Sequence, residues 1–187
     1  MTFGRALLLA AFAFTILPQP SFAQSEGGVD ASVFDAFPVP PASKTLLFYI
    51  QRNKNENAIV YEARLEADGK LAAKDPVRVQ WVRYTEGGKR EPLSLLEANV
   101  AYGVKHKGNL NDHARMVFVA SDKYPFNVVV DATGQAQARM MINGRYARLQ
   151  HIRIQAQETS FWPKIKYVDI FGTDVMNGEA VQERYIP

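Results

Sequence analysis

The chain has 187 residues, no cysteine, and 22 basic against 19 acidic side chains, a formal charge of +3. That length suits one domain with a real core. The lack of cysteine excludes disulfides, a thiol nucleophile and a lipid-modified N-terminal cysteine, and the mild basic balance does not point to a nucleic-acid partner.

The first residues read as an export signal. Arg5 gives a short positive start, Ala6 to Leu17 is an apolar run, Pro18 and Pro20 break it, and Ser21-Phe22-Ala23 supplies small residues for a signal peptidase. The run is too short for a membrane span of roughly 20 residues. Residues 1–23 are therefore expected to be removed, leaving a periplasmic or secreted chain of charge +3 − 1 = +2, since only Arg5 is lost. A twin-arginine signal is absent, which points to the ordinary secretory route. No later stretch is long and apolar enough to span a membrane. Residues 24–43 form a Pro/Gly-rich lead-in, where Pro38, Pro40 and Pro41 disfavour regular structure and Phe34 and Phe37 can tack the segment onto the domain. Residues 44–187 form a single β-rich domain.

Within that domain, Thr45 to Leu65 reads as a hairpin. Leu46, Phe48 and Ile50 share one face, and Ile59, Tyr61, Ala63 and Leu65 alternate after a polar loop over 52–57. Asp68-Gly69 marks a turn, and Val77, Val79 and Trp81 share one face of the next strand. Residues 86–89 read as a loop. Ser94 and Glu97 make a capping box for a helix of about two turns; Leu95, Leu96 and Val100 give it an apolar side, and Gly103 suits its end. Residues 105–113 are polar and read as a loop. Strands follow over 116–120, 126–131 and 135–142. Asn143-Gly144 signals a tight hairpin, and the return strand shifts its apolar parity near Gln150 or His151, which calls for a β-bulge. Two more strands cover 164–171 and 180–186. The expected fold is all-β, a mostly antiparallel eight- or nine-stranded barrel or sandwich with one short helix.

Chemistry-bearing residues are sparse. His106, Asp112 and His113 share a polar segment, but their spacing matches no metal motif and no metal site is expected. His151 lies in a strand, where a packing role competes with that of a general base. The sequence presents no nucleophile elbow, no catalytic residue and no cofactor motif. Arg52 and Lys54, in the first hairpin loop, and Lys105, His106 and Lys107, after the helix, could meet at one barrel mouth as an anion site or stay solvated. The aromatics Tyr49, Tyr61, Trp81, Tyr84, Tyr102, Phe161, Trp162 and Tyr167 fit either a ligand cavity or a core.

The string Leu47 to Leu65, the pattern Pro76-Val77-x-Val79-x-Trp81 and the triplet Ala101-Tyr102-Gly103 resemble a family of uncharacterised, mostly secreted bacterial domains, domain of unknown function family 4833. The most specific part is Arg52-x-Lys54-Asn55-x-Asn57 with Tyr61; the chain departs at Asn53, where serine is common in the family. The resemblance implies an exported single domain and brings no activity. It singles out Arg52, Lys54, Asn55, Asn57, Trp81 and Tyr102 as a possible cluster, and the candidate binding set is completed by Tyr61 and Lys105. The leading expectation is a domain that binds a small amphipathic or anionic ligand, or an envelope component. A hydrolase acting on envelope material and a purely structural or interaction domain remain as alternatives. Oligomeric state is not specified by the sequence.

Overall fold

The computed structural model describes residues 31–110, 113–157 and 163–187. The expected signal peptide, the start of the lead-in, Asp112, Phe161 and Trp162 lie outside the described residues.

Eleven strands form one mixed sheet, curled into a half-barrel. They are β1 (Leu46–Arg52), β2 (Asn55–Ala63), β3 (Val77–Arg83), β4 (Lys89–Pro92), β5 (Val104–Leu110), β6 (His113–Phe118), β7 (Phe126–Val130), β8 (Ala136–Ile142), β9 (Arg145–Gln157), β10 (Lys164–Asp174) and β11 (Ala180–Tyr185). The path runs β4-β3-β2-β1-β9-β8-β7-β6-β5, with β10 on β9 and β11 on β10. All the pairings are antiparallel except β1 with β9, whose direct parallel contact the sequence did not foretell. No helix among the described residues is long and apolar enough to cross a membrane.

β9 organises this topology. Its Arg145–Arg148 stretch pairs with β8, and its His151–Ile154 stretch pairs with β1. β10 runs along its other edge. Two four-stranded wings, β1–β4 and β5–β8, therefore leave the same edge of one strand. The break between them is the expected bulge. Phe171 lies opposite His151 and Gly172 opposite Leu149, so Gln150 is the extra residue. Gly172 makes this possible: a Cβ there would meet the Arg148 carbonyl oxygen and the Ile142 Cδ1 atom, each at 2.6 Å.

The wings close on an aromatic core. Phe48 of β1 stacks on Tyr61 of β2 at 4.2 Å between centroids and meets Phe118 and Phe126 of the other wing edge-on at 5.9 and 5.5 Å. Phe48, Tyr61 and Phe126 are fully buried, and each buried ring of this kind contributes on the order of 1.5–3 kcal/mol.

Several local expectations are corrected. The 52–57 loop is only a tight turn at Asn53-Lys54, with Lys54 at φ 64°, and Asn55, Glu56 and Asn57 already belong to β2. The polar 105–113 stretch is mostly strand: β5 is an edge strand, where outward polar side chains are the norm, and β6 begins at His113. β4 is a second polar edge strand that no apolar alternation announced. The capping box forms, with the Ser94 backbone N–H donating to the Glu97 carboxylate at 2.8 Å. The turn then widens into a π-helix, Glu97–Ala101, closed by the Tyr102 N–H on the Glu97 carbonyl at 2.8 Å. Gly103 follows it so closely that a Cβ would overlap the Ala98 carbonyl. Leu95, Leu96 and Val100, expected to pack, are instead 84%, 56% and 52% exposed.

The described part of the lead-in is docked. A five-residue helix, Ala31–Asp35, places Phe34 in a buried position edge-on to Phe37. Asp35 pairs with Arg153 at 2.9 Å, and Gln51 Nε2 donates to the Pro38 carbonyl at 3.0 Å.

Asn53 ties the first hairpin to β9. Its buried amide donates to the Ala156 carbonyl at 2.9 Å and accepts from the Ala156 N–H at 2.7 Å. Replacing it leaves two buried backbone groups unpaired. Asn53→Ala is expected to lower stability by roughly 2–4 kcal/mol in urea unfolding without loss of the native β-sheet circular dichroism.

Candidate functional site

Where the wings part above β9 and β10, a cleft of about 980 Å³ opens. Its floor follows from strand register. Ile50, Ile152 and Ile170 lie side by side across β1, β9 and β10, and one pleat further on lie Arg52, Ile154 and Val168. Residues two apart face the same way, so beyond the bulge Ile152 and Ile154 of β9 point into the cleft. Phe118 lines it from the second wing, and Leu96, Val100 and Tyr102 line it from the π-helical segment.

The rim is polar and mostly cationic. Among the described residues Arg52, Lys54, Arg83 and Lys123 line the cleft, with Glu97 and Asp122 as its acidic side chains. Arg83 lies over the Trp81 ring at 4.6 Å and donates to Glu91 at 3.2 Å. Trp81 Nε1–H donates to Glu97 Oε1 at 3.2 Å, and Tyr102 meets the Trp81 ring edge-on at 5.9 Å. Partial burial would raise the Glu97 carboxyl. Hydrogen bonds from Ser94 and Trp81, with the charge of Arg83, outweigh it and hold the group below the ordinary carboxylate range.

The structure thus brings together Arg52, Lys54, Asn55, Trp81 and Tyr102 of the candidate set. Tyr61 lies beneath them, with its hydroxyl donating to the Tyr102 carbonyl at 2.6 Å; burial, followed by the neighbouring Tyr102, pushes its phenol well above 10.0. Asn57 is not a cleft residue: its Oδ1 accepts from the Thr85 N–H and hydroxyl at 3.3 and 3.2 Å. Lys105 lies exposed on β5, away from the cleft, so the two basic segments do not form one mouth. Of the other aromatics, Tyr49 lies on the opposite face of the sheet and Tyr167 is covered by Arg184 at 3.9 Å. Arg83, Lys123 and the aliphatic floor were missed, because alternation alone reads Ile152 and Ile154 as core.

The histidines stand apart. His106 Nε2 is 2.8 Å from Asn109 Oδ1, and no three His, Asp or Glu side chains gather among the described residues. His151 is packed between Tyr49 and Phe171, with ring centroids at 5.4 and 4.3 Å, on the face away from the cleft. Burial, then the charge of Arg153, lowers its pKa from 6.5 to about 4. No histidine is ion-paired to a carboxylate among the described residues.

The family model "Domain of unknown function (DUF4833)" matches residues 48–184. No curated protein and no solved structure matches the chain.

His151 gives a pH signature. The unfolded imidazole takes a proton near pH 6.5 and the folded one only near pH 4, so stability falls as pH drops through that window and is unaffected above it. His151→Phe keeps the ring stack and removes the titration. The gap in melting temperature between this variant and the parent chain is expected to widen in the variant's favour from pH 7 to pH 4 and to stay constant above pH 7.

Proposed function

We propose that this chain, which belongs to the family Domain of unknown function (DUF4833), is an exported binding protein that holds a small amphipathic or anionic molecule between its two wings. The family brings no activity, so the reading rests on the cleft. The observation that carries it is an aliphatic floor and a cationic rim in one concave space. Its volume of about 980 Å³ is at the upper end of the range of ligand pockets, roughly 300–1,000 Å³. Export is supported by Arg5, the apolar run to Leu17 and the small residues ending at Ala23. The exposed Leu95, Leu96 and Val100 favour a second reading, an interaction domain that docks a partner on the π-helical lip.

Native mass spectrometry of the protein recovered from the periplasm or medium, before and after denaturation, separates the two readings. The expected result is a chain beginning at Gln24 that carries an amphipathic anion released on unfolding. Arg52→Ala is expected to weaken retention about tenfold or more, as the loss of a charged hydrogen bond does. An empty cleft under several growth conditions would put the interaction domain first.

A further inference from the structure

We infer that the cleft takes a single linear aliphatic chain bearing an anionic oxygen head, a carboxylate or a phosphate, with the chain on the floor of β9 and β10 and the head at Arg52 and Lys54. This rests on the cleft being the ligand site.

The floor decides the chain. The Ile50–Ile152–Ile170 row and the Ile154–Val168 pair after it present only branched aliphatic groups, so a sugar or peptide would lose its hydrogen bonds to water and gain none there. Two of the rings that line the cleft among the described residues, Trp81 and Tyr185, are already engaged. Trp81 is 5% exposed, its face is taken by Arg83 and its edge by Tyr102. Tyr185 is met by Tyr124 edge-on at 5.5 Å, with Lys123 over its ring.

The head follows from register. Arg52 occupies the β1 place in the Ile154–Val168 row, so a cation stands at the edge of the aliphatic floor, and Lys54 follows at the turn. Among the described rim residues, Glu97 is engaged by Ser94 and Trp81, and Asp122 is exposed beside Lys123. The length follows too. Ile170 and Ile165 of β10 line the cleft and lie opposite Ile152 and Ala156, four residues apart along β9, or about 13 Å. An extended alkyl chain advances about 1.3 Å per carbon, so the floor holds about ten carbons.

The test is calorimetric titration of the purified, delipidated protein, below micellar concentrations, with carboxylates from hexanoate to hexadecanoate, and with dodecyl phosphate, dodecan-1-ol, dodecyltrimethylammonium, acetate and inorganic phosphate. Affinity is expected to rise up to about fourfold per methylene and to level off near ten carbons. Dodecanoate or dodecyl phosphate should bind at least tenfold tighter than the alcohol, and which of them binds tighter identifies the head. Arg52→Ala with Lys54→Ala should erase that preference, and Ile154→Asp should abolish chain binding in a protein whose melting transition is retained. Equal binding of anionic, neutral and cationic chains would overturn the anionic head while leaving the cleft as a binding site. Binding of acetate or phosphate with no dependence on chain length would overturn the chain. If nothing binds the folded protein, the cleft reading falls with the inference.

Discussion

A strand has two edges, and each backbone group on an edge can pair only once. β9 meets this limit by being long enough to serve two partners in succession along the same edge, β8 first and then β1. The bulge at Gln150 separates the two pairings. It works only because Gly172 lets β10 approach the Arg148 carbonyl. Once two wings leave one edge, they diverge. Near the bulge they are held together by Phe48, Tyr61, Phe118 and Phe126. Further along β9 the stacked core rings give way to Ile152 and Ile154, and the space between the wings becomes the cleft. The cavity is thus a consequence of topology rather than a gap in a poorly filled core.

Such an opening needs a rigid rim, and the rim is built from hydrogen bonds where apolar packing would otherwise serve. The segment 94–101 buries little of its apolar side. It is held instead through Glu97, which caps the turn at Ser94 and also accepts from the Trp81 indole. From below, the Tyr61 hydroxyl fixes the Tyr102 carbonyl. A buried phenol with one strong acceptor is costly to disturb, so Tyr61 holds the rim of the cleft without lining it.

Much of the fold was legible in the sequence, and the failures have physical causes. Alternating runs marked the strands that bury one face, and the parity shift between Leu149 and Ile152 located the bulge. The Asn143-Gly144 turn follows from two residues that tolerate positive φ, here 48° and 75°. β4 and β5 were invisible because edge strands carry polar side chains outward and need no alternation. The parallel β1–β9 pairing was invisible because register between distant strands is set by the whole sheet. At the cleft, Arg52, Lys54, Asn55, Trp81 and Tyr102 were found because three short motifs carry the family resemblance, whereas Ile152, Ile154 and Val168 were not. An isoleucine on a cleft floor and one in a core have the same periodicity, and only the absence of a partner above it distinguishes them.

Parity along β9 has a last consequence. Ile152 and Ile154 point into the cleft, while His151 and Arg153 point the other way, into a layer made by Tyr49, Phe171 and the docked lead-in. Arg153 lies over both Phe34 and Phe171, at 5.4 and 5.2 Å, and pairs with Asp35, so the lead-in is fastened to the same strand whose other face carries the floor. The two faces share a backbone but no side-chain contacts across it. Charge changes at His151 therefore act on stability through the outer layer, while substitutions at Ile154 act on the cleft. The lead-in, outside the segment matched by the family model, fixes the outer side of a strand on which both wings depend.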